Sequence, residues 1–165
     1  MKTIVEKFLK TTHCNPPKYK ILEDQSVDIL GNFVPGGLFG ELPFQINESQ
    51  RCDISVNELF TLKGSSRIVH ENFNCAHNNK LQSLQFCPKF VKGNFYCSLN
   101  DIEPWEHRYL LFSEIQGGIL TGNSELDLFF KRYQNQKAGI PEALKELREI
   151  QKRFELRIQK YEDYC

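Results

Sequence analysis

The sequence predicts an α+β solenoid of about four to five coils with a parallel β ladder and a helical cap at each end. Three observations lead to this fold class. A short pattern of apolar residues and an asparagine recurs through the middle of the chain. Residues 1–12 carry apolar side chains at helical spacing, and the C-terminal part contains several segments with helix-start signals and one apolar face.

The length of 165 residues fits one domain with a sizeable core. A degenerate last coil is predicted near residues 115–123. The predicted domain, 1–165, has three parts: an N-terminal helix and lead-in at 1–22, the coils at 23–103, and a helical C-terminal cap at 104–165.

The recurring pattern is clearest in three stretches of the middle region. They read "CDISVNELFTL" at Cys52–Leu62, "FNCAHNNKLQSL" at Phe73–Leu84 and "FYCSLNDIEPW" at Phe95–Trp105. Each has an apolar residue, any residue, a second apolar residue, two further residues, an asparagine, and then another apolar residue. A weaker earlier copy is "VDILGNFV" at Val27–Val34, and "ILTGN" at Ile119–Asn123 is the degenerate last copy.

The spacing of the second apolar position sets the period. It is occupied by Ile54, by Cys75 21 residues later, and by Cys97 22 residues after that, and in the weaker copy we assign it to Ile29. This period lies within the range of about 20–29 residues typical of leucine-rich repeats. The sequence therefore predicts a short leucine-rich-repeat-like array in which these side chains stack as one interior column.

Each position of the repeat has a physical role. The two alternating apolar residues lie on one face of a short strand and point inward. The asparagine can bond backbone groups where the chain turns out of the strand. The segments between copies are too short for a full helix, so we expect extended chain or a single 3₁₀ turn there. The extra residue at "NNKL" predicts a widened turn.

The N-terminal cap is predicted as an amphipathic helix over residues 1–12, because Ile4, Val5, Phe8 and Leu9 have helical spacing. Glu6 and Lys7 interrupt any apolar run, which argues against a signal peptide. The lead-in that follows is expected to be extended, because consecutive prolines at 16 and 17 disfavour helix.

The C-terminal cap is predicted as three helical segments. The first begins at Pro104 and ends at Gly117-Gly118, and the second begins at Ser124 with Asp127 at capping-box spacing. The third begins at Pro141 and would be about 36 Å long. That helix either packs wholly on the last coil or extends beyond it to contact a second chain.

These stretches resemble small leucine-rich-repeat-like proteins encoded by large tailed bacteriophages. The similarity is carried by "FNC..N.L.SL..CP..V.GNFYCS.N" from Phe73 to Asn100, by "YKILEDQSVDILGNF" before it, and by "EPWEHRYLLFSEIQGGI", "ELDLFFKRYQ" and "PEALKELREIQKRFE" after it. Ile54, where the family usually has cysteine, and the extra asparagine depart from the pattern. The resemblance implies a phage product in the cytoplasm of an infected bacterium, with no catalytic residues.

The sequence contains no motif for catalysis, cofactor or metal. Phosphate-binding and nucleophile signatures are missing, and the six cysteines include no C-x-x-C pair, so no catalytic residue, cofactor or metal ligand is predicted. We expect the cysteines to be reduced and buried, although neighbouring strands are close enough for Cys75 and Cys97 to form a disulfide. His70 and His77 are expected at the surface.

Charge and hydropathy limit the class of partner. The 21 basic and 21 acidic residues cancel, which argues against nucleic acid or an anionic membrane surface. No apolar run approaches the roughly 18 residues of a membrane span. The predicted solenoid favours another protein as the partner, and the phage resemblance implies a bacterial host or defence protein.

A partner is expected to bind the outward side chains that flank the inward pairs, because solenoids present such rows to their partners. The alternative hypotheses are a structural or assembly component of the phage particle that self-associates through the C-terminal helix, and, least favoured, an enzyme. The candidate partner-binding residues are Ser26, Asp28, Arg51, Asp53, Asn72, Asn74, Asn94 and Tyr96.

Overall fold

The computed structural model describes residues 1–14 and 18–162 and confirms the solenoid with its helix at each end. The predicted extended chain at the prolines of residues 15–17 and the thiol of Cys165 lie outside the described residues. The helices and strands, in chain order, are α1 (Lys2–Thr11), β1 (Tyr19–Ile21), β2 (Val27–Ile29), β3 (Ile46–Ser49), β4 (Cys52–Asp53), β5 (Ile68–Val69), β6 (Phe73–Asn74), β7 (Phe90–Val91), β8 (Phe95–Tyr96), a 3₁₀ helix (Pro104–Phe112), β9 (Glu114–Ile115), β10 (Ile119–Leu120), α2 (Ser124–Tyr133), a 3₁₀ turn (Lys137–Gly139) and α3 (Ile140–Glu162).

Two sheets form adjacent walls of the solenoid. The first wall has the strand order β1-β2-β3-β5-β7-β9 and the second has β10-β8-β6-β4. Four coils each contribute one strand to each wall, and β2 with a single bridge from Phe33 to Cys52 makes a partial coil before them. All neighbouring strands are parallel except β1, which pairs with β2 in the antiparallel direction. The segments between the predicted repeats are extended, as expected, because they form the strands of the first wall.

The buried side chains stack in columns that follow the strand register. In the second wall Cys52, Phe73, Phe95 and Ile119 are paired in turn, and the Phe73 and Phe95 rings stack with centroids 4.9 Å apart. Strand alternation places the next inward position, at Ile54, Cys75 and Cys97, in a neighbouring buried column. A single cluster of buried apolar side chains runs from α1 through the coils to α3.

The predicted alignment of the first copy is wrong. Ile29 pairs with Ser49, and its column continues through Val69, Val91 and Ile115 in the first wall, not through Ile54. Phe33 is the residue that aligns with Cys52. The pattern was misaligned because both walls have alternating apolar residues, and the alternation alone does not distinguish one wall from the other.

The asparagine of the repeat forms a ladder between coils. Asn78 Oδ1 accepts the Leu59 N–H at 3.1 Å, while its Nδ2 donates to the carbonyls of Ile54 at 3.1 Å and Cys75 at 2.9 Å. Asn100 repeats the arrangement one coil later by accepting the Asn78 N–H at 2.6 Å. Asn78 is fully buried, so these bonds satisfy backbone groups that water does not reach. The extra residue after Asn78 is absorbed in a turn.

The N-terminal cap is helix α1, as the sequence predicts. Val5 and Leu9 are buried, and the Phe8 ring contacts the rings of Phe33, Phe39 and Phe44 with centroids 5.3 to 6.4 Å apart. The helix thereby covers the apolar interior that the first coil would otherwise expose.

The C-terminal cap differs from its prediction in its first segment. Pro104 begins a 3₁₀ helix that ends at Phe112, and β9 then places Gly117 at the corner of the last coil. A Cβ at Gly117 would lie 2.5 Å from the Gly93 carbonyl oxygen, so a side chain does not fit there. Gly117 therefore serves close packing between coils, and the glycine pair does not end a helix.

Two helices complete the cap. The residue that caps α2 is Asn123, whose side chain accepts the N–H groups of Glu125 and Leu126, so the predicted cap at Ser124 is one residue too late. Helix α3 buries Ala143, Leu147 and Ile150 against the cap. Side chains 155–160 are all exposed, so α3 does not pack wholly on the last coil and extends beyond it. No helix within residues 1–14 and 18–162 has the length and apolar content to cross a membrane.

The asparagine ladder predicts that removing one of its amides lowers the stability of the fold, while removing the amide of the neighbouring exposed asparagine does not. Replacing Asn78 by alanine leaves the buried Leu59 N–H without its acceptor, while the Ile54 and Cys75 carbonyls each keep a second amide donor. We therefore expect Asn78→Ala to lower the free energy of unfolding by about 2 kcal/mol. Its exposed neighbour provides the control, because Asn79→Ala should change stability by no more than about 0.5 kcal/mol. Urea denaturation measures both, and equal losses would contradict the ladder's role.

A buried histidine makes stability depend on pH. His107 is buried in the 3₁₀ helix of the cap with Nδ1 3.1 Å from the Glu103 carbonyl oxygen, and burial lowers its pKa to about 4. Between about pH 6.5 and that value the unfolded chain binds a proton that the folded chain does not. The contribution of His107 to the free energy of unfolding is therefore fully present above about pH 6.5. It is lost as the pH falls toward 4, by at most about 3 kcal/mol.

The replacement His107→Gln removes that titration. We expect the stability of the wild-type protein, relative to the variant, to decline between pH 6.5 and 4 in denaturant titrations at a series of pH values. A difference that does not change with pH would show that His107 is not buried in its neutral form.

Candidate functional site

Four side chains form the outward row of the second wall. Asp53, Asn74 and Tyr96 are paired in strand register, and Leu120 pairs with Tyr96 at the C-terminal end. Their inward neighbours are buried while these four remain half-buried or exposed, as alternation along a strand requires. We call Asp53, Asn74, Tyr96 and Leu120 the docking row; sequence reasoning identified the first three and missed Leu120.

A second set of predicted residues lies at the corner between the two walls. Arg51, Asn72 and Asn94 each precede a strand of the second wall, beside the docking row. Six of the eight candidate residues therefore lie together on one face of the solenoid.

The other two candidates do not belong to this face. Ser26 is only 2% exposed, and its Oγ donates to Asp24 Oδ1 at 2.5 Å. Asp28 lies in the first wall, where its Oδ1 accepts from Asn47 Nδ2 at 2.8 Å. Both were assigned from the first repeat copy, and the misalignment of that copy explains why they lie elsewhere.

The corner asparagines form a second ladder between coils. Asn72 Oδ1 accepts the Asn94 N–H at 2.8 Å, and Asn94 Oδ1 accepts the Gly118 N–H at 2.7 Å. Asn94 Nδ2 also donates to the Tyr96 hydroxyl at 2.9 Å, which fixes the orientation of that ring. These two amides position the face, and each of their oxygens already accepts a backbone N–H from the next coil.

An ion pair defines the N-terminal end of the docking row. The Arg51 guanidinium donates to Asp53, and Asp53 Oδ1 also accepts from the Ser55 hydroxyl at 2.6 Å. Burial by itself raises the pKa of the Asp53 carboxyl, but the hydrogen bonds from Ser55 and Arg51 outweigh burial and hold its pKa below the ordinary value. Asp53 therefore carries a negative charge at neutral pH.

A rim of strained residues borders the same face. Val56, His77 and Leu99 occupy one position in successive coils, and all three have left-handed backbone, with φ of 55°, 58° and 56°. Val56 is 67% exposed and Leu99 64% exposed. Left-handed backbone is costly for a β-branched residue such as valine, so the rim presents apolar side chains at some cost in stability. Sequence reasoning did not identify these three residues as part of the face. Each directly precedes the asparagine of its repeat copy, and this shared position is the sequence signal that could have identified them.

The cysteine side chains offer no reactive thiol on this face. Cys75 and Cys97 are buried and free, and burial raises the pKa of both thiols. Burial likewise raises the pKa of the Cys52 thiol to about 12. Within the described part of the chain, no group of three or more histidine, cysteine, aspartate or glutamate side chains is arranged to hold a metal ion.

The fold and this face define the class of protein: a parallel β-solenoid, closed by a helical cap at each end, with one outward row of mixed polar and apolar side chains. A scan of protein-family models, a search of curated proteins and a search of solved structures each find no match to this chain.

The corner ladder predicts which residues of the face support the fold. Asn94→Ala removes the acceptor of the exposed Gly118 N–H and the donor to the Tyr96 hydroxyl, and should lower the free energy of unfolding by about 1–1.5 kcal/mol. Arg51→Ala and Tyr96→Phe remove exposed or half-exposed groups and should each change it by less than about 1 kcal/mol. Thermal and urea unfolding of the three variants test this division, which a large loss from Arg51→Ala would contradict.

Proposed function

We propose that this chain is a non-enzymatic protein-binding scaffold, a phage accessory protein that acts in the cytoplasm of the infected bacterium. In this proposal the docking row and Arg51 bind a bacterial host protein or an anti-phage defence protein and block or redirect it. The phage setting rests on the sequence resemblance, and the binding role rests on the geometry of the face.

The observation that carries the proposal is the fixed arrangement of the docking row. Its side chains stand on parallel strands in register, and the corner amide of Asn94 holds the Tyr96 hydroxyl. Arginine and tyrosine are enriched among residues that dominate binding energy in protein interfaces. A row that is already ordered loses little conformational entropy when a partner binds.

The test is affinity capture from infected bacteria with the wild-type chain and the double variant Arg51→Ala, Tyr96→Ala. We expect the wild-type chain to recover a defined partner and the double variant to recover at least about tenfold less. The matched control is Arg67→Ala, Tyr19→Ala on the first wall, because Arg67 and Arg51 have similarly exposed side chains and both tyrosines are half-buried.

The result that would contradict the proposal is equal recovery by the wild-type chain and the docking-row variant. Recovery of no partner, together with the presence of the chain in purified particles, would also contradict it.

The second candidate function is a structural or assembly component of the phage particle. One observation favours it: side chains 155–160 of α3 are all exposed, and Leu156 among them is 59% exposed, as on a helix end that contacts a second chain. This function requires self-association, so a monomeric mass in light scattering at high protein concentration would exclude that route.

A further inference from the structure

A second surface, separate from the docking row, carries two exposed phenylalanines on successive coils. Phe86 is 54% exposed and Phe112 is 64% exposed. The residues that follow them adjoin across the coils, because Cys87 Sγ lies 3.4 Å from Ser113 Oγ. Both phenylalanines are thus exposed on neighbouring coils, and exposed apolar side chains that cluster mark interaction surfaces more often than scattered ones do.

The backbone at Phe86 is strained for an aromatic residue. Its φ is 68°, and the same position of the preceding coil is occupied by Gly64, with φ of 88°. Both turns close with the same hydrogen bond, from the Ser65 N–H to Leu62 and from the Cys87 N–H to Leu84. Glycine adopts this conformation without strain, whereas a phenylalanine at position 86 adopts it at a cost in stability. Because the Phe86 ring is exposed, little apolar burial offsets that cost.

A cleft of about 570 Å³ opens beside Phe112, between the last coil and the start of α3. Its apolar lining comes from Leu111, Phe112 and Ile140, and its charged lining from Lys89, Lys137 and Glu114. This volume lies within the range of about 300–1,000 Å³ that is usual for binding sites.

The cleft lining has a net positive charge, because it contains two lysines, Lys89 and Lys137. Among the side chains that the structure describes, no carboxylate lies within salt-bridge distance of either lysine. Glu114 is the one acidic residue that lines the cleft. The lysines are therefore available to neutralise acidic groups of a ligand.

We infer that this surface binds an extended acidic segment of a partner protein. An apolar side chain of that segment enters the cleft beside Phe112 and Ile140, and its flanking carboxylates contact Lys89 and Lys137. Glu114 accepts a backbone N–H of the segment. The same carboxylate repels closely spaced phosphates, so the lining favours a peptide over a nucleic acid.

This inference goes beyond the docking row and can fail independently of it. The two surfaces share no residue, since the docking row stands on the second wall and this cleft adjoins the first wall at β9. A partner can therefore be lost from one surface while the other still binds.

The experiment is selection of short random peptides from a display library on the intact chain, followed by fluorescence titration with the selected peptides. We expect enrichment of sequences in which aspartate or glutamate flanks phenylalanine, leucine or tryptophan. The double variant Lys89→Glu, Lys137→Glu and the single variant Phe112→Ala should each weaken binding about tenfold or more.

The controls match these changes in chemistry and lie at the other end of the solenoid. Lys10→Glu reverses an exposed lysine on α1, and Leu38→Ala truncates an exposed apolar side chain near the first coil. Both should bind the selected peptides with unchanged affinity, as should Arg51→Ala, Tyr96→Ala. Circular dichroism and thermal unfolding establish that every variant is folded.

The inference is overturned if no sequence is enriched over background, if basic sequences are enriched, or if the lysine and phenylalanine variants bind as tightly as the wild-type chain. Two further results also overturn it: single-stranded DNA that competes with the selected peptides, and a wild-type dimer in analytical ultracentrifugation that Phe112→Ala dissociates. These would show that the occupant is a nucleic acid or a second copy of the chain.

Discussion

The solenoid depends on side-chain amides that saturate the backbone where each coil bends. Most strands are only two residues long, so the chain leaves the sheets often, and the bend at Asn78 is fully buried. Asn78 and Asn100 supply the missing donors and acceptors at one bend, and Asn72 and Asn94 supply acceptors at the corner. An unsatisfied buried group costs about 1–3 kcal/mol, which is comparable to the stabilisation from one buried apolar side chain, so both kinds of contact are needed to hold the coils together.

The same constraint shapes the ends of the molecule. At the C-terminal end, Asn135 both accepts the Ile115 N–H and donates to the Ile115 carbonyl, while Asp127 accepts the Thr121 N–H. These side chains take the place of a further coil and cover edges that would otherwise pair with another chain. At the N-terminal end, Asn57 Oδ1 is the one buried side-chain polar atom without a partner in the described part of the chain, because no earlier coil donates to it.

The sequence predicts the coils well because their period is preserved through three copies, each with its asparagine. The register of the first copy could not be predicted, since Ile29 and Phe33 both have apolar neighbours at alternate positions and only the pairing to Ser49 and Cys52 separates them. The candidate face was predicted only in part, because some contacts of its side chains also join residues of different coils. Alternation identifies Asn94 as outward, but its amide is engaged by Gly118, a contact between residues of different coils that no local pattern contains.

The rigidity that stabilises the coils also determines how the docking row could recognise a partner. Because the two inner strands, β6 and β8, are paired on both sides, the row keeps a fixed spacing, and a partner must match about 4.8 Å between successive side chains. The row is also asymmetric, with the Arg51 and Asp53 pair at one end and Tyr96 and Leu120 at the other. A partner that aligned its apolar groups with the ion pair would leave charges desolvated and unpaired, so this asymmetry favours one binding direction along the solenoid.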